Sequence, residues 1–373
     1  MSKATIPVQD LKRHYNSMAG DLKGAAQRVL DSGWYVLGQE VKAFEKEFAA
    51  YLGARECVSV ANGTEALELA LRVFQIGPGN EVCTVANAGM YSTTAILNAG
   101  ATPVFVDVEA DTLTMSPNDL AARITERTKA VIATHLYGCM ADLDGILAVA
   151  RARGLSVIED CAQAHGAKRQ DRMAGTWGDI GCFSFYPTKN LGALGDGGAL
   201  CTDDQGVAER LRALRQYGWS SRYHSTFRGG RNSRLDELQA AFLRVKLPML
   251  DRWNQRRQQI ARLYNQAFRD TRLILSKLDD DSNVVHLYVV RLPQRDQFRQ
   301  LLTEAVVGSD VHYPVPDYSQ DSVREQLGGH EPLPETERAC CQVVTLPCFP
   351  ELADSEVDQV VSAVRAVLKR LPA

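Results

Sequence analysis

Phe183-Ser184-Phe185-Tyr186-Pro187-Thr188-Lys189-Asn190-Leu191-Gly192, followed by Gly195-Asp196-Gly197-Gly198-Ala199, sets the fold class of this chain. A strand runs into a proline, then a lysine, then a Gly-rich turn, then a second strand. The glycines let backbone come close to a ligand. Lys189 stands between apolar and Gly-rich segments, an unusual place for a solvated charge. A lone lysine reads either as a surface residue or as a desolvated amine that forms an imine with a carbonyl. The segments around it decide between the two.

Upstream, Leu155-Ser156-Val157-Ile158-Glu159-Asp160-Cys161-Ala162-Gln163 is an apolar strand that ends in two carboxylates. In open α/β sheets ligands gather at the carboxyl ends of strands. Asp160 there suits a cationic partner such as a pyridinium nitrogen, or it caps the following turn. Further upstream, Val58-Ser59-Val60-Ala61-Asn62-Gly63-Thr64-Glu65-Ala66-Leu67 turns from a strand into a helix at Asn-Gly-Thr. The free N–H groups and dipole of such a helix start form an anion seat; Thr64 also reads as an ordinary N-cap. A phosphate seat, an acid for a ring nitrogen and an amine for an aldehyde are together what pyridoxal phosphate requires.

Working outward, short apolar runs alternate with helical patterns from about residue 55 to 205. Strands are expected at 57–60, 81–85, 102–106, 130–134, 156–159, 181–185 and 198–202, with helices at 66–74, 92–99, 118–123 and 145–153 between them. That rhythm predicts an α/β layer with a mostly parallel sheet. A long helical stretch runs through 236–247, is interrupted at Pro248 and resumes over 251–268. Beyond it, strands are expected at 284–290 and 309–313 and an amphipathic helix at 355–371. The domain boundary is placed near residue 250, giving a large α/β domain over 1–250 and a smaller α+β domain over 251–373.

The length of 373 residues favours two domains. The net charge of −3, with scattered Lys and Arg, argues against a nucleic-acid partner. No apolar run is long enough to cross a bilayer, and Met1–Thr5 carries no apolar leader core. The nine Cys are odd in number and irregularly spaced, which suits buried reduced thiols in a cytoplasmic protein. The adjacent Cys340 and Cys341 have no nearby His or Cys, so no metal is expected.

The chain resembles the DegT/DnrJ/EryC1/StrS sugar aminotransferases, which are fold-type-I pyridoxal-phosphate enzymes with an aspartate-aminotransferase-like fold. The likeness runs from Ser32-Gly33-Trp34-Tyr35-Val36-Leu37-Gly38 to Leu346-Pro347-Cys348-Phe349-Pro350, with Asn62-Gly63-Thr64, Gly77-Pro78-Gly79-Asn80-Glu81-Val82, Glu159-Asp160-Cys161-Ala162-Gln163, the Lys189 segment and Asn232-Ser233-Arg234-Leu235-Asp236-Glu237 in family order. The resemblance implies roles. Lys189 would bind the cofactor covalently and shuttle the proton; Asp160 would pair with the pyridinium nitrogen; Gln163 would contact the ring or its 3-oxygen. Gly63, Thr64 and Ser184 would hold the phosphate, and Asn232 would reach the phosphate of the neighbouring subunit, which implies a homodimer with shared sites. Many relatives carry an aromatic residue near position 89 that stacks on the cofactor. This chain has Gly89 there, leaving Met90 or Tyr91 as substitutes.

The run Lys189–Gly198, together with Val311-His312-Tyr313-Pro314-Val315-Pro316 and Gln320, resembles enzymes that aminate C3 of nucleotide-linked 3-keto sugars. In that group a His is common where this chain has Tyr318. The activity implied is transfer of an amino group from L-glutamate, or alternatively L-glutamine, to C3 of a dTDP-3-keto-6-deoxyhexose. Tyr186, His312 and Tyr313 are candidate sugar contacts. Such deoxyamino sugars would suit lipopolysaccharide, other surface polysaccharides or antibiotics. The alternatives are a C4-aminating or UDP-sugar enzyme, an amino-acid aminotransferase or C–S lyase that grips a carboxylate with Arg291, and a non-catalytic sensor or scaffold. A dehydratase of the same fold would carry His in place of Lys189.

Overall fold

The computed structural model describes residues 5–278, 281–327, 329 and 331–372; Met1–Ala4 of the amino-terminal reading lie outside them. Seven strands form one sheet: β1 (Glu56–Val60), β2 (Glu81–Val85), β3 (Thr102–Val106), β4 (Thr128–Thr134), β5 (Ser156–Asp160), β6 (Ile180–Ser184) and β7 (Gly198–Thr202). They lie in the order β1-β7-β6-β5-β4-β2-β3. All seven expected strands are present, within two residues of their expected ends. Pairing is parallel throughout except at β7, which runs antiparallel to both β1 and β6. The carboxyl ends of β1, β2, β4, β5 and β6 therefore open on one edge, and β7 begins there.

Helices cover both faces, as the near-continuous apolar strands require. Helix α1 (Gly63–Val73) starts at Asn62, whose side-chain oxygen accepts the Glu65 N–H at 2.9 Å. Its Leu67, Leu69 and Leu71 are buried against the sheet, each worth about 1.5–3 kcal/mol relative to exposure. Helix α2 (Tyr91–Ala99) follows β2. Helix α3 (Glu237–Lys246) gives way at Pro248 to a short 3₁₀ turn, Leu247–Met249, and then to α4 (Leu250–Phe268). Without an N–H, Pro248 cannot continue the ladder of α3, which is why the stretch divides there.

A second core gathers around Tyr264, Phe268, Tyr288, Phe298, Phe349 and Val360. Its two-stranded sheet pairs β8 (Tyr288–Arg291) with β9 (Val343–Leu346) antiparallel, and the helix Asp354–Arg370 packs on it. Two expectations need correction. The strand expected over 284–290 is confined to β8, because Asn190 Nδ2 takes the Val284 carbonyl and Arg257 Nη1 the His286 carbonyl in place of a ladder. The strand expected over 309–313 is absent. Only Asp310 bridges, to Thr345, and the His312 carbonyl instead accepts the Tyr137 hydroxyl. Helices at Ala19–Ser32, Gln39–Leu52, Gln205–Leu214, Arg295–Glu304 and Pro334–Gln342, and the strand β9, were not assigned from the pattern.

Of the nine free Cys, Cys341 is exposed and the other eight are buried. Among the described residues, no helix is long and apolar enough to span a membrane.

Candidate active site

The turn after β6 is held rigidly. The Lys189 N–H donates to the Tyr186 carbonyl at 2.8 Å, and the Ala193 N–H to the Phe185 carbonyl at 2.7 Å. Asn190 donates to Asn254 Oδ1 at 2.8 Å while its own oxygen meets His286 Nδ1 at 3.0 Å. From α3, the buried Lys246 donates to the Gly192 carbonyl at 2.6 Å. From the amino-terminal segment, Gln9 donates to the Thr188 carbonyl at 2.9 Å. A lysine at the end of so constrained a turn loses little further freedom when it reacts.

The Lys189 side chain enters a cavity of about 1180 Å³ at the carboxyl edge of the sheet, also lined by Gly63, Thr64, Asp160, Ser184 and Tyr91. Among the described residues its ammonium group has no hydrogen-bond or ion-pair partner. Burial pulls its pKa down to about 8, against the attraction of Asp160. The sign has a measurable consequence. A lowered pKa leaves the amine half neutral near pH 8, whereas an ordinary lysine stays charged to about pH 10. Competitive acetylation of the protein followed by peptide mass spectrometry is expected to show Lys189 reactivity rising through pH 8, ahead of the ordinary lysine range near about pH 10. A rise at pH 10 with the rest would contradict this.

Asp160 closes β5 and is 5% exposed. It accepts the Ala162 N–H at 3.1 Å and the Ser92 hydroxyl at 3.3 Å. Burial raises its pKa; those two donors and the charge of Lys189 oppose the rise. Such a carboxylate gains from a cation placed beside it. Its neighbour Glu159 points to the other face of the sheet, as strand alternation dictates. There it accepts N–H groups from Gly175, Trp177 and Gly178 and meets His135 Nε2 at 2.9 Å. His135 Nδ1 accepts the Ala141 N–H, so Nε2 carries the proton. The buried trio His135, Glu159 and Cys161 lies close together. The bonds to its histidine and carboxylate take up the atoms a metal would use.

The expected anion seat lines the same cavity. Among the described residues, the Gly63 and Thr64 N–H groups, at the first turn of α1, have no backbone partner. Gly63 is required by space: a Cβ there would stand 2.6 Å from Ser184 Cβ. Gly198 lets β7 pass equally close, since its Cβ would meet the Asn62 carbonyl carbon at 2.5 Å. Gly63→Ala is therefore expected to push Ser184 aside and weaken binding of a phosphate-bearing ligand by about fivefold or more, from overpacking of about 1–3 kcal/mol. Equilibrium dialysis of wild type and variant checks this; unchanged affinity would remove Gly63 from the seat.

The cavity brings together Lys189, Asp160, Gly63, Thr64, Ser184, Tyr186, His312 and Tyr313, all singled out in the sequence. It does not include two others. Gln163 lies behind the wall, its oxygen accepting the Tyr137 N–H at 2.6 Å and its amide donating to the Tyr313 hydroxyl at 3.3 Å. Asn232 sits on an exposed segment, bridged to Gln216. Of the two substitutes for a residue at 89, Met90 packs into an apolar cluster with Phe105 and Tyr318, whereas Tyr91 faces the cavity. The Tyr313 ring covers Gly89, where a Cβ would meet it at 2.8 Å, and stands edge-on to Tyr91 at 6.0 Å between centroids. Tyr318 is buried, donates to Glu337 and does not line the cavity. Arg291 likewise lies outside it, donating to the Ala110 carbonyl. Sequence reasoning missed Val8, Gln9, Ser92 and Asp310; nothing local in the sequence marks the first two, which arrive from the far end of the chain.

The model of the DegT/DnrJ/EryC1/StrS aminotransferase family matches residues 16–365. The dTDP-3-amino-3,6-dideoxy-alpha-D-galactopyranose transaminase of Aneurinibacillus thermoaerophilus is 45% identical over 360 residues, covering 96% of this chain and 98% of that one. Among solved structures, Streptomyces venezuelae DesV in complex with a ketimine intermediate superposes with a TM-score of 0.95 at 41% identity, covering 99% of this chain and all of the other. Bacillus subtilis NtdA with bound PMP superposes with a TM-score of 0.93 at 28% identity, over 99% of this chain and 86% of that one.

Proposed function

Because the chain belongs to the DegT/DnrJ/EryC1/StrS aminotransferase family and is a pyridoxal-phosphate-dependent transaminase, we propose that it moves the amino group of L-glutamate to C3 of a dTDP-3-keto-6-deoxyhexose. The observation that carries the chemistry is one cavity that brings together the Lys189 amine, without a partner among the described residues, a buried Asp160 carboxylate and the Gly63–Thr64 helix start. The choice of sugar is supported by the 45% identity to a transaminase named for a dTDP-3-amino-3,6-dideoxy sugar.

The cofactor fits the residues present. The room left by the missing Cβ of Gly63, the free N–H groups and Ser184 suit a phosphate. When bound, pyridoxal phosphate supplies an aldehyde that takes up amines and a protonated ring that draws electrons from the neighbouring carbon. Lys189 would hold the cofactor, release it to the incoming amine, then take the proton from the substrate carbon and return it one position away. An amine of pKa about 8 suits both directions near neutral pH. Asp160 would keep the ring nitrogen protonated, and Ser92 would hold its carboxylate in place. Gln163, fixed by Tyr137, would buttress the wall through Tyr313. Tyr186, His312 and Tyr313 would contact the sugar, with Tyr91 and Tyr313 supplying the aromatic surface that position 89 lacks.

We assign Asn232 to the phosphate of a second subunit in a homodimer. Support comes from the exposed Trp34 (63%) and Tyr223 (75%), apolar rings that a partner would cover. We likewise keep the division near residue 250 between a cofactor-binding part and a smaller carboxyl-terminal part.

The test is a substrate panel. The holoenzyme with L-glutamate is offered dTDP-linked 3-keto and 4-keto 6-deoxyhexoses and a UDP-linked 3-keto sugar, and products are read by mass spectrometry and NMR. Amination at C3 of the dTDP sugar is expected. Turnover of only the 4-keto or only the UDP sugar would replace the proposed acceptor.

A further inference from the structure

We propose that Asp317 is a positioning residue of the active site: it clasps the turn Gly89–Thr93 from behind and so fixes Tyr91 in the cavity and Ser92 on Asp160. The inference rests on the proposed role of Asp160.

Asp317 is 1% exposed. One carboxylate oxygen accepts the Met90 N–H at 3.0 Å and the other the Thr93 hydroxyl at 2.6 Å. The Gly89 N–H also turns toward it. Its own N–H donates to the Ala86 carbonyl at 2.8 Å. Asp317 thus ties the segment that follows His312–Pro316 to the loop leaving β2.

The clasped turn needs an external hold. Gly89 and Met90 have φ of +79° and +74°. Met90, with its side chain, is strained in that left-handed conformation. The three donors flank the start of α2, where the helix dipole favours a negative charge. Burial nonetheless pushes the Asp317 carboxyl up to about 7, with Thr93 and the two amides pulling it down. The next residues of α2 face the chemistry. Tyr91 lines the cavity, and the Ser92 hydroxyl, itself 1% exposed, donates to Asp160. One buried carboxylate outside the cavity therefore sets the second carboxylate inside it.

Asp317→Asn keeps the shape and removes the charge; Thr93→Val removes one donor and leaves the carboxylate, in case the first variant folds poorly. Hydrogen exchange over residues 87–94 is measured on the cofactor-free protein. Pyridoxal-phosphate affinity and the pH midpoint of the bound cofactor's visible band are measured on the loaded one. We expect exchange over 87–94 to speed up about tenfold or more in both variants, the cofactor to bind several-fold more weakly and the spectral midpoint to move, in the direction it moves in Ser92→Ala. Combining Asp317→Asn with Ser92→Ala should move the midpoint no further than Ser92→Ala alone. Wild-type exchange over 87–94 would overturn the clasp, and faster exchange with an unmoved midpoint and affinity would reduce Asp317 to a purely structural residue. Failure of the wild-type protein to bind the cofactor would instead fail the proposed function, and the exchange measurement on the cofactor-free protein would still judge the clasp.

Discussion

Replacing Lys189 with alanine is expected to abolish amino transfer while leaving the fold intact. Loss of a positioned acid–base amine alone costs roughly 10²–10⁴-fold in rate, and in the proposed function the same amine would also hold the cofactor. The backbone bonds of the turn do not use the side chain: Asn190, Lys246 and Gln9 grip the neighbouring carbonyls and amides directly. The ammonium group itself is a desolvated charge with no partner among the described residues, so its removal relieves a cost of burial. Steady-state kinetics with thermal denaturation tests both halves. A variant as stable as wild type, or more so, and without turnover is expected. Turnover within tenfold of wild type would remove Lys189 from the chemistry.

Asp160→Asn is expected to lower kcat by about 10²–10⁴-fold. Asn keeps the size of Asp and still accepts the Ala162 N–H, so the strand end is unchanged. What disappears is the charge that would face the ring nitrogen in the proposed function. Leaving a buried cation without its partner costs about 3–5 kcal/mol, and each 1.4 kcal/mol is a factor of ten. The raised pKa of Asp160 has the same origin, since burial makes the lone carboxylate costly until a cation joins it. The loss should appear mainly in kcat. A variant that loses only KM for the donor would mean that Asp160 binds substrate and leaves the ring alone.

The sheet was legible because each strand is a short apolar run closed by a turn, a pattern that local chemistry writes directly into the chain. The Lys189 turn was legible for the same reason, through Pro187 and the glycines that follow it. Contacts between distant segments were not. Gln9 reaches Thr188, Lys246 reaches Gly192 and Asp317 reaches Met90 across stretches with no shared pattern. Lys246 in particular reads as a surface charge at a helix end, yet it is 1% exposed because the Gly192 carbonyl takes its proton donor. The false strand over 309–313 has a similar cause. Its Val311 and Tyr313 suit a strand, but the backbone is spent on Tyr137 and on delivering His312 and Tyr313 to the cavity. The departure at position 89 was visible as a glycine, while its reason, the ring of Tyr313 lying against it, belongs to the tertiary structure.

The most direct test of the central claim is borohydride reduction of the pyridoxal-phosphate-loaded protein, followed by peptide mass mapping, with and without prior L-glutamate. The account predicts a single phosphopyridoxyl label on Lys189 that disappears when glutamate precedes the reductant. A label on other lysines, or one on Lys189 that neither glutamate nor any other amino donor removes, would contradict it.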